Sequence, residues 1–77
     1  MRNYRTIVTF KNGRHMILRM TRDLVAKFVR MFRHMQDNPF SDLYLWRLYG
    51  DEYMNMTTIS GARFIDEYTG EEFLSLS

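Results

Sequence analysis

The segment YRTIVTFKNGRHMILRM, residues 4–20, decides the fold. Two runs rich in β-branched and aromatic residues, 4–10 and 15–20, flank Asn12-Gly13. Asn-Gly between such runs is the strongest short hairpin signal, because a type I′ turn needs positive φ at both central residues. That two-residue turn sets Phe10 opposite His15, Val8 opposite Ile17 and Ile7 opposite Leu18. One face then carries Ile7, Met16, Leu18 and Met20, the better apolar set for packing on a helix. The other carries Tyr4, Thr6, Val8, Phe10, Ile17 and Arg19, and must be covered or bind something.

The next stretch, TRDLVAKFVRMFRHM at 21–35, has the spacing of an amphipathic helix. Thr21 is placed as the N-cap, its hydroxyl free to accept from a backbone N–H of the first turn. Met20 and Val25 bracket it as a hydrophobic staple. Asp23 in the first turn favours the positive end of the helix. Leu24, Val25, Phe28, Val29, Phe32 and Met35 form the apolar stripe, with Leu24, Phe28 and Phe32 expected on the sheet. Asn38-Pro39 ends the helix at about residue 37.

Beyond Pro39, DLYLWRLYGDEY (42–53) reads as a strand over 43–49 that turns at Gly50-Asp51. A short helix capped by Ser41 is the alternative, and the aromatic content favours the strand. Residues 53–60 read as another strand, with Gly61 breaking or bulging it. Residues 62–67 form a short strand, and Thr69-Gly70 turns into 71–76. No repeat, linker or low-complexity segment divides the chain. The expectation is a single α+β domain over 1–77: a small antiparallel sheet with one amphipathic helix, ordered β-β-α-β-β(-β).

Seventy-seven residues with 45% hydrophobic content support one core and no second. The stability margin of such a core is on the order of 5 kcal/mol. Cysteine is absent, which removes disulfides and thiolate chemistry and suits a reducing, cytoplasmic setting. No apolar run approaches a membrane span, and the first ten residues do not read as a signal peptide. The net charge of +2 hides an asymmetry. Residues 1–35 carry nine Lys or Arg against Asp23 alone, a net +8. Residues 36–77 carry Arg47 and Arg63 against eight acids, a net −6. This split suits a polar partner surface, self-complementary association, or local neutralisation between the halves.

Signatures of catalysis are missing. The chain has no GxxxxGK[ST], GxGxxG or HExxH. His15 and His34 lack a spaced third ligand, so no metal or cofactor is expected. The paired acids Asp66-Glu67 and Glu71-Glu72 read as solvated turns. Two groups remain as partner-binding candidates. Lys27, Arg30 and Arg33 or His34 form a basic row on the helix opposite Phe28 and Phe32, able to fork onto phosphates or to stay in water. Tyr44, Arg47 and Tyr49 lie in a segment rich in the residue types that dominate protein interfaces, while Trp46 is expected in the core.

The chain is under 100 residues, lacks cysteine, reads as hairpin then helix, and ends in strands around TTISGARFIDEYTGEEF. In this it resembles small accessory proteins of phages and prophages, over its whole length and in architecture alone. The resemblance implies a non-enzymatic inhibitor or modulator that covers a surface of a host complex, in the defence or transcription machinery. Inhibitors of that kind that mimic nucleic acid are often strongly acidic, which this chain is not. The alternative reading is a small nucleic-acid-binding protein using the basic face of the 21–37 helix. Twelve aromatic residues in so short a chain also suggest a homodimer, with Tyr4, Val8 and Phe10 at the contact.

Overall fold

The computed structural model describes residues 2–42 and 44–77, with the side chain of Tyr49 outside the description. Strands β1 (Asn3–Phe10) and β2 (His15–Thr21) lead into helix α1 (Arg22–Asp37). Strands β3 (Leu45–Tyr49) and β4 (Glu52–Asn55) follow, then a 3₁₀ turn (Met56–Thr58), β5 (Ile59–Asp66) and β6 (Glu72–Leu76). Four strands make an antiparallel sheet in the order β2-β1-β5-β6, and β3 and β4 pair as a separate hairpin. The α+β class and the β-β-α-β-β order are those expected. Residues 43–49 do include a strand, from Leu45 on; Leu43 lies outside the described residues.

The expectation of one sheet is corrected to two. Residues 53–60 do not form one strand, because the Asn55 side chain captures the backbone N–H of Thr57 at 2.9 Å and coils the chain into the 3₁₀ turn. Of the two expectations at Gly61, a break or a bulge, the ladder shows the bulge. Gly61 lies within β5, and the ladder irregularity falls beside it, where Thr9 faces Gly61 but Phe10 faces Ile59. Ser60 is the extra residue, and its hydroxyl donates to the Thr9 carbonyl at 3.2 Å.

The first hairpin differs from its expected register by one residue. Gly13 has φ +88°, whereas Asn12 keeps negative φ. Gly13 N–H donates to the Phe10 carbonyl (2.9 Å) and Phe10 N–H to the Arg14 carbonyl (2.8 Å). Asn12 Oδ1 accepts from Arg14 N–H at 3.0 Å. The loop therefore has three residues, ending in a left-handed glycine, rather than two. Val8 faces Met16 and Ile7 faces Ile17. Such a slip turns β2 over relative to β1. Tyr4, Thr6 and Val8 now share a face with Met16, Leu18 and Met20, and that face is the core.

Helix α1 covers this face. Thr21 Oγ1 accepts from Leu24 N–H at 3.4 Å, and Met20 and Val25 are buried on either side of the cap. Val25, Phe28, Phe32 and Met35 form the buried stripe. Leu24, expected there, is 39% exposed and turns to the flank instead. Phe28 is fully buried and meets Phe64 and Trp46 edge-on, at centroid distances of 5.7 and 5.3 Å. The dimer contact expected at Tyr4, Val8 and Phe10 is likewise corrected. Tyr4 and Val8 are 2% and 0% exposed, and Phe10 packs half-buried against the same core. The opposite sheet face stays uncovered. It carries Arg5, Ile7, Thr9, His15, Ile17, Arg19, Arg63 and Ile65, with Ile17 63% exposed.

Candidate protein-docking groove

Trp46 positions the site. Strand alternation sends Trp46 and its cross-strand partner Met54 inward, where both are buried, and sends Leu45, Arg47 and Tyr53 outward. The indole against Phe28 pins the β3–β4 hairpin to the helix. A groove of about 730 Å³ remains between β2, the flank of α1 and β3. Its apolar surface comes from Met16, Leu18, Leu24, Met31 and Leu45. Leu24 and Leu45 are 39% and 47% exposed, large values for side chains of that kind in so small a core. Unbranched methionines let such a surface adapt to a partner's shape.

Cations rim this groove. Lys27 Nζ lies 5.6 Å from the centre of the Trp46 ring, and Arg47 Nε donates to the Gly50 carbonyl at 3.1 Å. Arg30 lines an adjoining pocket with Lys27, Met31, His34, Asp42 and Leu45. Glu52 and Asp42 are the acids present. Among the described residues the ion pairs are Arg2–Asp66, Arg19–Glu67 and Arg63–Glu72. Two of them join the basic first half to the acidic second half, so the charge asymmetry is partly neutralised by folding. None of them involves Lys27, Arg30, Arg33 or Arg47.

The structure divides the residues singled out from sequence. Lys27 and Arg47 come together at the groove, and Arg30 lines the pocket beside it. Arg33 is exposed but lies six residues beyond Lys27, about 120° round the helix, and faces away. The expected row of Lys27, Arg30 and Arg33 is thus split. Tyr44 is 37% exposed at the foot of the hairpin, its carbonyl accepting from Met56 N–H at 2.7 Å. Tyr49 keeps its strand backbone, and its side chain lies outside the description. His34 Nε2 is 2.9 Å from Ser41 Oγ, which fastens the helix end to the loop beyond it.

Sequence reasoning assigned Leu24 to the buried stripe, missed Met31 and Leu45, and missed Phe40, whose ring is 97% exposed in the loop that carries Asp42. The signal for Phe40 was present: an aromatic residue directly after the Asn-Pro that stops a helix has left the helical stripe and has nowhere in it to pack. Among the described residues no group of three His, Cys, Asp or Glu is placed to hold a metal ion, and no helix is long and apolar enough to cross a membrane. Compared with known protein families, curated proteins and solved structures, the chain matches none.

Proposed function

We propose that this chain is a non-enzymatic binding protein that docks a partner protein in the groove between β2, α1 and β3. The observation that carries the reading is the coincidence of half-exposed Leu24 and Leu45 with Lys27, Arg30 and Arg47, cations in no ion pair among the described residues. Apolar anchors inside a charged rim are the anatomy of a protein interface. In the setting that the resemblance to phage accessory proteins implies, docking covers a surface of a host complex in the cytosol and blocks its use.

Binding of nucleic acid by the basic helix is the competing reading. Arg22, Lys27, Arg30 and Arg33 are all exposed, but Asp23 and Asp37 share that outer surface, and Arg33 points away from Lys27. Salt separates the two. A helix gripping phosphates through three cations gives log K a slope of about −0.9 per contact against log salt. The expected result is no oligonucleotide binding at micromolar strength in roughly 0.15 M salt. Capture of one protein from a bacterial lysate, unchanged by nuclease and lost in Leu24→Asp with Leu45→Asp, is expected in its place.

A further inference from the structure

Resting on that docking reading, we propose that the partner enters as an extended strand: an acidic and apolar segment that adds to the free edge of β2. The sheet order leaves β2 at an edge. In an antiparallel ladder, alternate residues turn their N–H and C=O to the neighbouring strand. Phe10 N–H donates to Arg14 C=O, so the hydrogen-bonded pairs that follow are Val8/Met16, Thr6/Leu18 and Tyr4/Met20. The backbone groups of His15, Ile17 and Arg19 therefore point off the sheet. No backbone partner outside the sheet is found for them among the described residues.

Protein edges are ordinarily blunted by proline, bulges or inward charges. Here β2 runs in unbroken register against β1 from Thr21 to His15, with no proline or bulge and with Arg19 as its one Lys or Arg. The groove meets that edge directly. It is lined by the consecutive residues 16–20 of β2 and 45–48 of β3. Successive strand residues point to opposite faces, so a groove touching every one of them runs along strand edges. An added strand gains main-chain hydrogen bonds from β2 and lays alternate side chains against Leu24, Met31 and Leu45, the usual division of affinity and specificity in strand addition.

Charge selects the occupant. Lys27 and Arg47 line the groove that takes the incoming segment, Arg30 lines the adjoining pocket, and Arg19 is paired with Glu67 at 2.9 Å. Glu52 and Asp42 offset only part of this. Carboxylates on the segment meet guanidinium and ammonium groups at the rim. A second copy joined β2 to β2 sets like cations against one another, and a nucleic acid has no peptide groups to offer the edge.

The test uses a strand-length peptide of about 7 residues that alternates glutamate with valine or leucine. Amide spectra and hydrogen exchange of the full chain are followed as it is added. Exchange at His15, Ile17 and Arg19 is expected to slow roughly tenfold or more. Lys27→Glu with Arg47→Glu is expected to weaken binding at least roughly tenfold. A peptide with lysine for glutamate, and one N-methylated on its pairing amides, are expected not to bind. If the N-methylated peptide binds equally well while Leu24, Met31 and Leu45 still shift, strand addition is overturned and the docking groove stands. Failure of every peptide to bind overturns the proposed segment chemistry, and the groove itself is then judged by whole-partner capture. Protection of the same amides without peptide, in a particle of twice the 9.4 kDa chain mass, assigns the edge to a second copy and overturns the proposal.

Discussion

The Trp46 indole stands edge-on to the Phe28 ring, 5.3 Å between centroids and 70° between planes. This contact ties the second hairpin to the helix and makes one wall of the groove. Phe28 touches both Trp46 and Phe64 and is 0% exposed. Phe28→Ala should therefore cost about 3–5 kcal/mol. Against a margin on the order of 5 kcal/mol, that leaves the chain partly unfolded. Urea titration read by the single tryptophan gives the value, since Trp46 is 7% exposed and passes into water on unfolding. A variant that melts like the parent removes Phe28 from the core.

Thr6 carries the one buried side-chain oxygen found without a hydrogen-bond partner among the described residues. It lies under the helix at 0% exposure. Burying an unpaired hydroxyl is unfavourable, and valine fills the same space without it. Thr6→Val is expected to raise unfolding free energy by about 1 kcal/mol. A loss of stability reveals a water or a bond at that hydroxyl.

Arg5 faces Arg19 directly across β1 and β2 on the uncovered side of the sheet. Like charges placed so are unfavourable. Arg5→Thr should be neutral or better, and Arg5→Glu should add about 0.5 kcal/mol at low salt. The gain should fade as salt is raised, because the pair is exposed. A gain independent of salt points to a cause other than charge.

Gly61 has no room for a side chain, because a methyl group there would overlap the Leu76 carbonyl. Gly61→Ala is expected to destabilise by more than about 1 kcal/mol and to loosen the end of β6 first. Hydrogen exchange at Leu74 and Leu76 reads this. Unchanged protection there shows that β6 can shift without loss.

Where single residues set structure locally, the sequence was legible. Thr21 placed the helix start, Asn38-Pro39 its end, and Trp46 an inward position on a strand. Register was less legible, because Asn12-Gly13 suits two loops that differ by one residue. The choice fell to the core, where only the three-residue loop puts Tyr4 and Val8 on the same side as Met16 and Leu18. The Asn55 side chain has short reach and competes with a strand without altering the apolar pattern, so the 3₁₀ turn was hidden. The groove was half legible. Lys27, Arg30 and Arg47 were marked by charge, but Leu24 read as stripe, and only the seating of the β3–β4 hairpin decides which leucines stay uncovered.

The docking groove is tested most directly by photo-crosslinking from inside it. A photoreactive phenylalanine analogue replaces Leu45, at the groove, or Arg33, on the far flank of the helix, in the full chain. After illumination in nuclease-treated bacterial lysate, position 45 is expected to form an adduct with one protein and position 33 is not. The adduct should disappear when Lys27→Glu and Arg47→Glu are added. An adduct formed equally from position 33, or one that survives those charge reversals, contradicts the groove as the docking surface.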